Sequence, residues 1–136
     1  MSEILVNKLT GTSTAGSILV TGEGNSTTTN LQQGLAKAWS NFTSSTTTAY
    51  RDSFNFSTIT DVGTGITTHT FSAAMNNNDY AVTSAVSAVE TGTGSYGGDE
   101  HCRDYTTSSF KQYTVTAAGS LADRPLNNNS VNGDLA

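Results

Sequence analysis

Short runs of alternating apolar and polar residues, cut every few positions by Gly, Asn or Asp, limit what this chain can become. From Thr48 to Phe56, Tyr50, Phe54 and Phe56 share one parity while Arg51, Ser53 and Asn55 take the other, which is the period of a half-buried strand. Asp61, Gly63 and Gly65 then supply a tight hairpin turn, because Gly accepts the positive φ that such turns need, and a return strand is expected at about 65–72. Asp79 to Val89 alternates again and reads as a central strand. Phe110 to Ala117 gives one more. Around Leu31 the spacing predicts a short helix or turn at 31–34, then a strand through Trp39. Strands this short, with turns between them, predict an all-β antiparallel sandwich or jelly-roll-like unit over residues 31–136. Its expected core is Trp39, Phe42, Phe54, Phe56, Phe71, Tyr80, Val82 and Val115.

Residues 1–30 read differently, as an extended N-terminal arm for anchoring or trimerisation. Two short apolar strands are expected, one of Ile4, Leu5 and Val6 and one over 17–20 with Ile18, Leu19 and Val20, set among Gly, Ser and Thr. The arm has too little to bury to order itself, so these six residues are the expected anchoring set, gaining order by adding strands to a neighbouring surface. The same shortage runs through the whole chain. Thr, Ser, Asn and Gly make up about half of it, against 35% hydrophobic and 12% charged residues. A chain this poor in apolar side chains buries less than an average domain of its length, and subunit contacts are the expected remedy.

Charge narrows the partners. A net charge of −5 with only six Lys and Arg disfavours nucleic acid, which needs clustered cations. The opening MSEILVNKLT lacks the apolar run of a signal peptide, and no stretch matches a membrane-spanning helix. Synthesis in a host cytoplasm without membrane insertion is the expectation. Cys102 stands alone, so no intrachain disulfide and no multi-cysteine metal site is expected.

An ordered series of motifs carries a resemblance. Lys37, Ala38, Trp39 and Phe42 are followed by Arg51, Ser53, Phe54 and Asn55, by Asp61, Gly63, Thr64 and Gly65, by Phe71, Ala74 and Met75, and by Tyr80, Ala81 and Val82. This series, flanked by LQQGL and NGDLA, resembles a recurring module of bacteriophage tail-fibre and other virion surface proteins, over about three quarters of the chain. The resemblance implies a virion location, a β-rich fold and trimeric assembly, and it implies no reaction.

Candidate chemistry is sparse. Asp99, Glu100, His101, Cys102 and Asp104 gather metal-ligand types, but neighbours on one loop rarely converge on an ion, so they read as a solvated loop within 90–106. His69, on a Thr-rich strand, reads as an ordinary hydrogen-bonded side chain. Neither Gly-rich run, TGTSTAG at 10–16 or TGTGSYGG at 91–98, is expected to join a strand to a helix, so neither cradles phosphate. Tyr96, His101, Arg103 and Tyr105 are the candidate surface-binding residues, suited to a host glycan or protein. No catalytic residue, metal or cofactor is expected.

Three functions compete. The favoured one is a non-enzymatic virion structural protein, a trimeric fibre or knob-type surface module such as a tail-fibre or adhesin component. The alternative is a capsid decoration, cement or head-fibre protein on the head lattice. An enzyme such as a depolymerase lacks a visible carboxylate pair or placed nucleophile.

Overall fold

The computed structural model describes residues 5–11, 18–21, 27–88 and 98–136. Ile4 and Tyr96, named above as an anchoring and a surface-binding candidate, lie outside the described residues. The chain divides into two compact units, residues 1–35 and 36–136. In the first, β1 (Leu19–Thr21) pairs antiparallel with β2 (Thr28–Asn30). The single turn α1 (Leu31–Gly34) follows, capped where Asn30 Oδ1 accepts from Gln33 N at 3.1 Å. Its four residues bury nothing.

The second unit is an all-β sandwich of two antiparallel four-stranded sheets. Its strands are β3 (Ala38–Thr43), β4 (Ala49–Phe54), β5 (Phe56–Gly63), β6 (Ile66–Phe71), β7 (Ala81–Ser87), β8 (Gly98–Arg103), β9 (Ser109–Thr116) and β10 (Leu126–Asn132). One sheet has the order β4-β3-β10-β7 and the other β5-β6-β9-β8. Between them lie Phe56, Phe71, Met75, Tyr80, Phe110 and Val131. The interior is unusually polar for a core. Registered rows run across the first sheet as Ala38–Val131–Val82 and Ser40–Asn129–Ser84, so an apolar row lies beside a hydroxyl and amide row. Such rows weaken the alternation signal that sequence reading depends on.

Asn55, Gly65, Gly133 and Tyr80 fix the corner and the close approaches of this scaffold. Asn55 is where the chain leaves one sheet for the other: its φ is 58°, in the left-handed region that Asn tolerates better than most residues. Its Nδ2 donates to Lys37 O at 3.0 Å and Ala73 O at 3.2 Å, and its Oδ1 accepts from Ala73 N at 2.7 Å. Gly65 has φ +69°, and a Cβ there would stand 2.6 Å from Thr114 O and 2.7 Å from Ala122 N. A Cβ on Gly133 would meet Tyr80 Cβ at 2.7 Å. The Tyr80 hydroxyl donates within reach of two carbonyls, Thr106 O and Ser109 O. Replacing Asn55 by Ala should cost about 2 kcal/mol, from lost hydrogen bonds and left-handed strain together. Asn55→Gly, which keeps the backbone conformation, should cost less in the same chemical unfolding measurement; equal costs would mean that strain at this corner is negligible.

Several expectations are corrected. Trp39 and Phe54 are not core: they are 40% and 51% exposed. Trp39 and Phe42 are three residues apart on one strand and must face opposite ways, and Phe42 takes the interior. Phe54 is turned out by a β-bulge: Asn41 pairs with Asp52 and Phe42 with Tyr50, so Arg51 is the extra residue and the parity changes there. Tyr50 therefore faces in and Phe54 out. Val115 has the parity opposite to Phe110, Gln112 and Thr114, which are buried, and it sits half-buried outside the core cluster. Residues 98–103 form β8 rather than part of a loop. Segment 79–89 supplies an edge strand, not a central one, because β10, from the Asn-rich closing segment, occupies the centre.

Candidate contact surface

Strand alternation decides the fate of the 99–104 cluster. In β8, Asp99 and His101 lie on one side of the strand while Glu100 and Cys102 lie on the other, so the candidate ligands diverge. His101 Nε2 stands 3.5 Å from Asp99 Oδ2, both well exposed. Cys102 is partly buried, its Sγ 3.3 Å from Ser84 Oγ. Burial pushes its thiol upward, the wrong direction for a nucleophile. Glu100 is likewise held above the usual carboxylate range, first by burial and then by Asp99. Asp104 leaves the strand at φ 53° and accepts from Lys111 Nζ at 2.8 Å. Among the described residues no group of three or more His, Cys, Asp or Glu is placed to hold a metal ion.

The expected surface residues part company as well. The Arg103 guanidinium sits 5.4 Å from the centre of the Tyr113 ring, a cation–π contact on the outside of β8 and β9. Tyr105 turns inward, its ring 5.1 Å from Tyr80 and stacked on Phe110 at 6.2 Å. Of the arm residues, Leu5, Val6, Leu19 and Val20 are exposed, and Ile18 is half-buried with its carbonyl accepting from Leu31 N.

His69 is fully buried at the centre of the sandwich. Its ring stacks on Phe110 at 5.0 Å and meets Phe42 edge-on at 4.7 Å. Nδ1 lies 3.0 Å from the Tyr50 hydroxyl, Nε2 lies 3.1 Å from Thr67 Oγ1, and the Tyr50 hydroxyl donates to Thr58 O at 3.2 Å. One proton arrangement satisfies all three contacts. Nδ1–H donates to Tyr50, Tyr50 donates to Thr58 O, and Thr67 donates to Nε2. Burial lowers the His69 pKa from 6.5 to about 3 and raises that of Tyr50. The group is a neutral structural linchpin, enclosed by the core.

The outer face of the first sheet is more open. Trp39 and Phe54 are register partners on β3 and β4 and so project from the same face. In the next row Asp52 pairs with Asn41 and Asn41 with Asn128, and Asn41 Nδ2 donates to Asn128 Oδ1 at 2.7 Å. Two exposed aromatic rings beside a row of amide and carboxylate groups form the candidate contact surface. The bulge at Arg51, which turns Phe54 outward, leaves no compositional trace. The three-residue spacing of Trp39 and Phe42 was the available clue.

No helix among the described residues is long and apolar enough to cross a membrane. Searches against protein-family models, curated protein sequences and solved structures return no match.

Proposed function

We propose that this chain is a non-enzymatic structural protein of a bacteriophage particle, displayed as a homotrimeric fibre or knob-type surface module. The observation that carries the reading is the placement of the resemblance-bearing residues. Asn55, Gly65, Met75 and Tyr80, with Gly133 of the closing segment, occupy the corner, the close backbone approaches and the core. These members of the pattern serve the scaffold, whereas two others, Trp39 and Phe54, are turned outward, as suits a module that is built into a larger assembly and makes contacts through one face. Trp39 and Phe54 are the residues it presents outward.

Immunogold labelling of intact phage particles that encode the protein tests this reading. Label on tail fibres or on a surface knob is expected. Label spread over the head would convert the reading to the decoration alternative, and protein found only free in the lysate would sink both. On particles, Trp39→Ser with Phe54→Ser should leave incorporation unchanged and lower host adsorption at least several-fold. Lost incorporation with normal adsorption would place that face inside the assembly.

A further inference from the structure

The four edges of the sandwich are not alike. An exposed strand edge invites pairing with another chain, and proteins blunt it with charges, Pro or bulges. The β4 edge carries Arg51, Asp52 and the bulge between them and Phe42. The β5 edge has two register shifts and Asp61. The β8 edge carries Asp99, Glu100, His101 and Arg103. β7 has none of these devices. Its sequence AVTSAVS is uncharged and free of Pro, it holds an unbroken seven-pair register with β10, and among the described residues no strand pairs with its other side.

The chain also holds a segment with the complementary defect. Residues Leu5 to Gly11 belong to no strand, and Leu5 is 83% exposed, with Val6 and Leu9 also in the open. We infer that the outer edge of β7 accepts Leu5–Thr10 of a second copy as an added strand. The inference rests on the homo-oligomer reading above and specifies its contact. The match is in the pattern. β7 faces the interior with Val82, Ser84 and Val86, apolar, polar, apolar; Leu5, Asn7 and Leu9 repeat that order at the same spacing. With Asn7 beside Ser84, one Leu extends the apolar Ala38–Val131–Val82 row, the other lies beside Val86 at the end of the Phe42–Asn127–Val86 row, and Asn7 extends the hydroxyl and amide row. The opposite parity then places Lys8 on the outer face of the new edge, supplying the charge that β7 lacks. Donor and acceptor are different surfaces, so each copy gives one strand and receives one, a head-to-tail contact that closes into a ring in the trimer proposed above. Direct β7-to-β7 pairing would be self-complementary and would stop at a two-fold dimer.

The test uses the full chain with Cys102→Ser, so that no native thiol competes, and adds Asn7→Cys and Ser84→Cys. This pair faces across the interface whether the added strand runs parallel or antiparallel. Light scattering of the unaltered protein should give about 42 kDa, three times 14.1 kDa. After mild oxidation the double-cysteine protein should run as a covalent trimer on a non-reducing gel, and either single-cysteine protein as monomer. Leu5→Asp with Leu9→Asp should dissociate the assembly while the sandwich keeps its β-sheet circular dichroism. A trimer by mass in which Asn7→Cys and Ser84→Cys form no disulfide with each other would overturn the inference and leave the oligomer reading standing. A crosslink within one chain, or Ser84→Cys crosslinking alone into dimers, would also overturn it. A stable unaltered monomer of about 14 kDa would remove the oligomer reading itself.

Discussion

Phe110→Ala should destabilise the protein by about 3–5 kcal/mol, the usual cost of emptying a fully enclosed aromatic site, whereas Phe54→Ser should cost about 1 kcal/mol or less. The asymmetry follows from where each ring points. Phe110 has no exposed surface and touches His69, Phe56, Phe71, Tyr80 and Tyr105 with ring centres 5.0 to 6.4 Å away. No rotamer change elsewhere can refill that space, so the cavity penalty adds to the lost transfer energy. Phe54 lies on an edge strand with half its surface in water, and its partner across the ladder is the equally outward Trp39. Because the whole stability of a domain is about 5–15 kcal/mol, the first variant should lose about a third or more of a typical domain's stability and the second should barely move. Chemical unfolding at one fixed protein concentration, which holds any assembly contribution constant, measures both. A larger loss from Phe54→Ser would mean that the bulge at Arg51 is misplaced and that the first sheet is registered one residue away.

The class of fold was legible because it rests on period and punctuation. The hairpin at Asp61, Gly63 and Gly65 joins β5 to β6, and the run beginning at Phe110 is β9, although its inward face carries Phe110, Gln112 and Thr114 rather than Val115. What stayed hidden has particular causes. β10 reads LNNNSVN, and Asn is a poor advertisement for a central strand; Asn127 and Asn129 are nevertheless buried, inside rows that are themselves polar. β8 was concealed by the charges that protect it as an edge, since GDEHCR has the composition of a loop. Exposed Phe54 was concealed by one bulge residue, which inverts every later side chain on β4 without changing its composition, whereas the outward turn of Trp39 was legible in its three-residue spacing from Phe42. The sequence also announced a metal-like cluster at 99–104 that the pleat of β8 takes apart. A candidate site made of consecutive residues is thus most vulnerable to the discovery that those residues form a strand.

Acidification from pH 7.5 to pH 4 should remove about 3 kcal/mol of stability through His69 alone. His69 titrates at about 3 in the folded protein, against an ordinary value of 6.5. Between those values the unfolded chain binds a proton that the folded chain refuses, so stability rises with pH across the window and falls as pH drops through it; below about pH 3 both states are protonated and the loss levels off. The refusal has a structural cause, because both ring nitrogens are already engaged by Tyr50 and Thr67 and aromatic rings surround the imidazole. Protonation would put a second donor against the Thr67 hydroxyl, displacing the bond it gives, and would leave the new charge among Phe42, Phe56 and Phe110. Glu100 works against this trend, since its raised pKa makes the folded state the better proton binder, and the variant Glu100→Gln removes that opposing slope. In that background His69→Gln should start less stable at neutral pH and lose most of the acid sensitivity between pH 6.5 and 4. If the slope survived in His69→Gln, the acid sensitivity would belong to other groups and the buried imidazole would not be the protein's acid-labile point.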